Sequence, residues 1–210
     1  MTLCYVTDRK ALAGTVDEQI RLLLEKIESA ARAGVDWIQI REKDLPGRIL
    51  AELVSEAIHC VPDRCRIIVN DRLDVAYAVG AAGVHLGEQS LPVAEAKRFL
   101  RERRYGGEFL AGVSTHSVEG ALAADKDGAD YLIFGPVFAT PSKVRFGEPR
   151  GAERLREVCN KTRAPVIAIG GITLENARAC LAAGAAGIAA IRLFQEASNL
   201  RALARQLRAV

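Results

Sequence analysis

The sequence predicts an α/β protein, a single (βα)8 barrel of the TIM-barrel type that spans residues 1–210. Three observations predict this fold. The length fits one domain. The strand-like segments are short and almost continuously apolar, as in parallel strands that are buried on both faces. Strand-like and helix-like segments alternate eight times along the chain. An open doubly wound sheet is the alternative.

A glycine-containing turn followed at once by an apolar strand recurs along the chain, at residues 33–36, 80–83, 128–130 and 184–187. The glycine can adopt positive φ and so end a helix. The spacing between copies is about twice the length of one strand–helix unit, so we expect a further strand in each interval.

The predicted strands are residues 3–6, 37–40, 66–69, 84–86, 109–113, 131–134, 165–169 and 188–191. The predicted helices are residues 17–33, 47–60, 72–79, 92–103, 117–127, 151–161, 173–182 and 198–208. In the first helix, Ile20, Leu23, Leu24 and Ile27 have the spacing of one helical face. The long loop at residues 135–150 has a length typical of a binding loop or lid.

Composition excludes several classes of protein. Half of the residues are hydrophobic and only 5% are aromatic, so we expect a packed aliphatic core rather than disorder. The net charge of +3 is too small to indicate nucleic-acid binding, and the basic stretch at residues 101–104 is typical of a solvated helix end. Residues 179–191 form an apolar run too short to cross a membrane. With no visible secretory signal and an odd number of cysteines, we expect a cytoplasmic protein with reduced thiols.

Polar side chains concentrate where the strands end. In a parallel barrel these positions share one face, called here the mouth. They are Gln39, Arg41, Glu42, Lys43, Asn70, Asp71, His85, Glu88, Ser90, Ser114, His116, Thr140, Ser142, Lys143, Gly170, Gly171 and Arg192. We therefore expect the functional site at the mouth.

Two features of the mouth predict an anionic ligand. Gly170 and Gly171 precede a helix, so their backbone N–H groups can approach a phosphate, although a tight turn alone would also require glycine. Arg41, Lys43 and Lys143 place three cations at the mouth and fit a ligand with more than one phosphate, although solvated rim positions are the alternative for each.

Asp71 is the best candidate for a metal ligand, because Mg²⁺ prefers one or two carboxylates together with phosphate oxygens. An N-cap role for the next helix is equally compatible with its position. We interpret His85 as structural, because it lies within a strand. His116 follows a strand end and is either an acid–base group or a neighbour of a helix cap. No cysteine lies beside an obvious base, which argues against a thiol nucleophile.

The sequence resembles the thiamine phosphate synthase superfamily, which includes the related thiazole tautomerases. The resemblance covers nearly the whole chain, and its motifs are specific when taken together. They are Gln39-Ile40-Arg41-Glu42-Lys43, Asn70-Asp71, Gly83-Val84-His85-Leu86-Gly87, Gly112-Val113-Ser114-Thr115-His116, Gly135-Pro136 with the segment from Thr140 to Lys143, and Gly170-Gly171-Ile172.

The resemblance implies a synthase that joins a pyrimidine diphosphate to a thiazole phosphate, with Mg²⁺ bound by Asp71 and Ser90. It implies that Arg41, Lys43, Asn70 and Ser114 contact the diphosphate substrate, that Lys143 reaches it from the loop carrying Thr140 and Ser142, and that Gln39 lies near the pyrimidine. Gly170, Gly171 and Arg192 would bind the thiazole phosphate. The implied partners are these small molecules, without nucleic acid or membrane, and a homodimer is left open.

Two positions depart from the family pattern. Ser90 stands where the synthase has a second metal-binding Asp, with Glu88 as a substitute if the loop shifts. Arg192 stands where the synthase has a small residue. A tautomerase needs neither diphosphate nor Mg²⁺, so these departures keep a thiazole tautomerase, with His116 as its acid–base group, as the alternative function. A phosphate-ligand binder without turnover is the third hypothesis.

Overall fold

The structure is a computed structural model that describes residues 1–103, 107–140 and 149–210. Within these residues, parallel strands pair in chain order and the last pairs with the first, which closes a barrel. The strands are β1 (Thr2–Val6), β2 (Trp37–Ile40), β3 (Arg66–Asn70), β4 (Gly83–Leu86), β5 (Leu110–Thr115), β6 (Tyr131–Phe134), β7 (Val166–Ile169) and β8 (Gly187–Ala190). The barrel prediction is confirmed, and the open sheet was the wrong alternative.

Each strand is followed by a helix, and the predicted helices are present with their ends shifted by two residues at most. They are α1 (Val16–Arg32), α2 (Gly47–Cys60), α3 (Leu73–Ala78), α4 (Val93–Glu102), α5 (Val118–Lys126), α6 (Gly151–Lys161), α7 (Leu174–Ala182), α8 (Arg192–Gln195) and α9 (Leu200–Arg208). A 3₁₀ helix at Arg9–Ala11 and the short α8 were not predicted.

Helix starts follow their capping residues. Thr15 and Glu18 form a capping box at the start of α1, which satisfies backbone N–H groups that a helix terminus leaves free. The side chains of Ser117 and Asn199 likewise accept hydrogen bonds from the first turns of α5 and α9. These local signals explain why the alternation of strands and helices could be predicted from the sequence.

The core has two parts, inside the barrel and between the barrel and its helices. The small interior cluster contains Cys4, Val6, Tyr131, Ile133, Ile167 and Ala189. A Cβ at Gly112 would overlap the ring of Tyr131, so this glycine makes room for the tyrosine. The cysteines are free, and burial raises the pKa of Cys4 to about 12, so its thiol stays protonated. In the described part of the chain, no helix is long and apolar enough to cross a membrane.

Candidate active site

Asp71 forms the centre of the polar cluster at the mouth. Its φ is +61°, in the left-handed region that Asp tolerates better than most residues. Its carboxylate accepts hydrogen bonds from the Ser90 hydroxyl and from the Gly87 N–H, the latter at 3.1 Å. The Lys43 Nζ lies 3.4 Å from its other oxygen. The carboxylate therefore does not cap α3, whose first residue follows Arg72 without a side-chain cap.

The hydrogen bonds to Asp71 keep its carboxylate ionised. Burial opposes ionisation, but the hydrogen bonds from Ser90 and Gly87 and the charge of Lys43 outweigh it, so the pKa of Asp71 is below its usual value. A negative charge at this position is what a hard cation needs.

Gln39 and Asn70 extend the cluster into the barrel. Gln39 is buried, and its Nε2 donates to Asn70 Oδ1 at 2.9 Å. Asn70 Nδ2 in turn donates to Asp71 Oδ2 at 2.8 Å. Among the described residues, the buried Gln39 Oε1 atom has no hydrogen-bond partner, an arrangement that favours a donor supplied by a ligand.

Ser114 is held by a buried histidine. His85 Nε2 lies 2.8 Å from Ser114 Oγ, and His85 Nδ1 lies 3.2 Å from the Tyr131 hydroxyl. The pKa of His85 is lowered to about 3, mainly by burial; the charge of Asp71 opposes this shift and the charge of Arg41 adds to it. His85 is therefore a neutral residue of the barrel interior that orients Ser114, in agreement with its predicted structural role.

Glu42 does not face the mouth as the sequence led us to expect. It is buried and accepts hydrogen bonds from Thr7 Oγ1 at 2.6 Å and from the Arg9 backbone N–H at 3.1 Å. It also pairs with the Arg9 guanidinium at 3.2 Å. Arg9 is itself buried and binds Asp44 through both Nη atoms, and sequence reasoning missed it. This network leaves the exposed Arg41 and Lys43 as the cations of the loop that follows β2.

A cavity of about 420 Å³ lies on the opposite side of the mouth, beside β7 and β8. Gly170 and Gly171 line it with φ values of +99° and +63°. A side chain at Gly170 would lie 2.6 Å from Pro136, so the two backbones can approach only because this residue is glycine. Arg192 lines the same cavity, and its Nη2 donates to Thr140 Oγ1 at 3.1 Å.

His116 and Glu88 are occupied by structural contacts. His116 Nδ1 donates to the Gly135 carbonyl oxygen. Glu88 Oε1 accepts from the His116 backbone N–H at 2.9 Å, at the start of α5 rather than beside Asp71. Ser90, and not Glu88, therefore stands next to Asp71. Ser142 and Lys143 lie outside the described residues.

The donor atoms around Asp71 fit a cation such as Mg²⁺, although they do not form a complete metal cage. Within residues 1–103, 107–140 and 149–210, no three His, Cys, Asp or Glu side chains gather closely enough to hold a metal ion. One ionised carboxylate beside one hydroxyl suits a cation that completes its shell with phosphate oxygens and water.

The mouth thus combines the polar cluster around Asp71, at the carboxyl ends of β2–β5, with the glycine-lined cavity at β7–β8. Together with the closed barrel, these features define the class: a (βα)8 barrel whose mouth carries a charged polar cluster and a ligand-sized cavity.

Comparisons with known proteins identify the family. The sequence profile described as thiamine monophosphate synthase matches residues 3–194. A putative thiamine-phosphate synthase of Geobacter sulfurreducens is 44% identical over 100% of this chain and 93% of the relative. A thiamine-phosphate synthase of Moorella thermoacetica is 42% identical over 90% of this chain and 89% of the relative. This chain belongs to the thiamine monophosphate synthase family.

A solved structure agrees with that assignment. The thiamine phosphate pyrophosphorylase of Pyrococcus furiosus superposes with a TM-score of 0.83 at 34% identity and covers 99% of this chain and 94% of its own. 3-Hexulose-6-phosphate synthase, at 19% identity and a TM-score of 0.71, shares the fold alone.

Proposed function

We propose that this protein condenses hydroxymethylpyrimidine diphosphate with thiazole phosphate to give thiamine phosphate and pyrophosphate. One observation carries the proposal: the Asp71–Ser90–Lys43 cluster and the Gly170–Gly171 cavity open on the same mouth. Two anionic substrates would therefore meet over the barrel, as a condensation between them requires.

The diphosphate is assigned to the first of these places. Arg41 and Lys43 would bind its oxygens and stabilise the charge that grows on it as it leaves, while Ser114, held by His85, would donate a hydrogen bond. Asp71 and Ser90 would hold Mg²⁺, which neutralises diphosphate charge when bound. Lys143 is proposed to add a further cation from its loop.

The pyrimidine and the thiazole phosphate take the remaining positions. The unpartnered Oε1 of Gln39 would accept a hydrogen bond from the aminopyrimidine, and Asn70 would fix the Gln39 side chain. On the other side, the backbone at Gly170 and Gly171 and the guanidinium of Arg192 would bind the phosphate of the thiazole. Thr140 and Ser142 are proposed to lie on the same loop beside it.

The thiazole tautomerase alternative receives less support. Its acid–base candidate, His116, uses Nδ1 to bind the Gly135 carbonyl oxygen and lies at a helix start. The relatives quoted above are described as synthases. The homodimer and the cytoplasmic location stay predictions.

The test is a product assay with both substrates, in Mg²⁺ and in EDTA. We expect thiamine phosphate and pyrophosphate in equal amounts with Mg²⁺ and none with EDTA. Lys43→Ala should lower kcat/KM by about 100-fold, the size of effect typical for loss of one preplaced electrostatic group. Arg48→Ala, an exposed cation on α2, is the matched control and should retain activity. Metal-independent isomerisation of a thiazole substrate, without condensation, would overturn the proposal.

A further inference from the structure

Asp8 is an acidic residue among those around the cavity at β7–β8. It follows β1, is half-buried and lines the cavity together with Gly170 and Arg192. In the described part of the chain, its carboxylate has neither a hydrogen-bond donor nor a cation within ion-pair distance. A half-buried carboxylate beside a ligand cavity that has no protein partner is available to pair with a positively charged group of a ligand.

The residues on both sides of Asp8 are firmly held. Thr7 is fully buried and donates to Glu42, while it accepts from the Arg41 N–H at 2.9 Å. Arg9 is buried against Glu42 and Asp44. The backbone that carries Asp8 is therefore held in place beside the cavity.

The charges that line this cavity have opposite signs. Arg192, bonded to Thr140, supplies a cation suited to a phosphate, whereas Asp8 and Glu196 supply carboxylates. A ligand with only negative charge would use Arg192 and be repelled by Asp8. A ligand that carries a phosphate and also a positive ring would satisfy both groups.

The proposed condensation creates such a ligand. The nitrogen lone pair of the thiazole forms the new C–N bond, the C–O bond to the diphosphate breaks, and pyrophosphate leaves with the bonding pair. The nitrogen changes from neutral to cationic without any proton transfer. A carboxylate near the ring would then interact more favourably with the transition state and the product than with the substrate complex.

We propose that Asp8 is a catalytic residue that stabilises the positive charge developing on the azole ring. The proposal rests on the proposed function. It assigns to the end of β1 a role that complements the cations of the loop after β2: those stabilise the departing anion, and Asp8 stabilises the cation that forms.

The test compares binding of a neutral and a cationic azole by calorimetry. In Asp8→Asn, we expect the Kd of thiamine phosphate to rise about tenfold, which corresponds to one modest charge interaction. The Kd of thiazole phosphate, whose only charge is negative, should stay the same or fall, and kcat should fall while the KM for thiazole phosphate does not rise. Glu196→Gln, which removes the exposed carboxylate of the same cavity, should leave both Kd values within twofold.

The side chain of Asp8 makes no capping bond to the 3₁₀ helix that follows, so the variant should fold. Asp8→Ser, measured in parallel, should show the same selective loss. Equal weakening of both azoles, or no change in either, would overturn the role of Asp8. Failure of the proposed function would be visible separately, as absence of condensation by the unaltered protein under the same conditions.

Discussion

Ser90 determines how much negative charge surrounds the proposed cation. Its hydroxyl donates to Asp71 and accepts from the Gly87 N–H at 2.9 Å. In Ser90→Asp, a second carboxylate would lie beside the first and repel it until a cation binds between them. We expect the Mg²⁺ concentration for half-maximal activity to fall about tenfold, since cation affinity rises with the number of charged ligands.

Thermal unfolding of the same variant provides a second measurement. In EDTA, Ser90→Asp should melt at a lower temperature than the unaltered protein, and Mg²⁺ should reverse the difference. Ser90→Ala serves as the control, since it removes the hydroxyl without adding charge. A Tm of Ser90→Asp that is indifferent to Mg²⁺ would contradict the placement of the cation beside Asp71.

His85 makes stability depend on pH in a definite direction. Its pKa is about 3 in the folded protein because the ring is buried, and about 6.5 in the unfolded chain. Between these values the unfolded chain binds the additional proton. The contribution of His85 is therefore complete above pH 6.5 and is lost as the pH falls towards 3, with a slope approaching about 1.4 kcal/mol per pH unit.

Urea unfolding at pH values from 7 to 4 measures this slope. His85→Gln retains hydrogen-bonding groups but does not titrate in this range, so its free energy of unfolding should decrease less steeply below pH 6.5. His59→Gln, at an exposed position on α2, is the matched control and should leave the slope unchanged. Equal slopes in His85→Gln and the unaltered protein would show that His85 titrates normally.

At the scale of elements, the loops after β1 and β2 form one unit through Glu42. Its carboxylate binds Thr7 and Arg9, and Thr7 binds the Arg41 N–H. Burial raises the pKa of Glu42, and these hydrogen bonds act against that rise. We predict that Glu42→Gln weakens the hold on Arg9 and lowers the free energy of unfolding by about 3 kcal/mol, as expected when one partner of a buried ion pair is removed.

We expect Glu42→Gln to lower catalytic activity as well as stability, because Arg41 and Lys43 lie on the same loop as Glu42. Steady-state kinetics should show a lower kcat at a temperature where the variant is folded. Glu52→Gln, which breaks an exposed pair with Arg48 on α2, should cost no more than about 0.5 kcal/mol. If Glu42→Gln were as stable and active as this control, the buried network would not position the loop that carries Arg41 and Lys43.

The elements also show which features of the fold can be predicted from the sequence and which cannot. Strand positions were predictable because parallel strands buried on both faces are continuous apolar runs. The 3₁₀ helix at Arg9–Ala11 and α8 are too short to show a helical period. The burial of the Glu42 side chain was not predicted, because it depends on pairing with Arg9, which lies 33 residues away in the chain. The sequence around Glu42 does not indicate that pairing.

At the scale of the whole molecule, closure of the barrel explains why the site could be located. β1 pairs with β8, so the parallel strands form a closed ring. Residues that follow the strands then lie at one mouth, and these include Asp71, Ser114 and Gly170. Strand order alone does not say which side chains bind each other. The contact of Ser90 with Asp71, and the position of Asp8 beside the cavity at β7 and β8, follow from the three-dimensional arrangement.

Ligand binding at this mouth should stabilise the whole barrel, because the residues that bind come from most of its strands. At 100 times its Kd, a ligand specific for the folded state adds about 2.7 kcal/mol to the free energy of unfolding. For a domain of this size, that is an increase in Tm of about 5–10 °C. We expect this increase with pyrophosphate and Mg²⁺ together, measured by differential scanning calorimetry. Either one alone should give a smaller shift, since Asp71 would contact only the cation and the basic residues after β2 would contact only the pyrophosphate.

In Asp71→Asn the combined shift should shrink to that of pyrophosphate alone. In Asp74→Asn, which removes an exposed carboxylate paired with Arg72, the combined shift should persist. A combined shift in Asp71→Asn as large as in the unaltered protein would place the cation elsewhere.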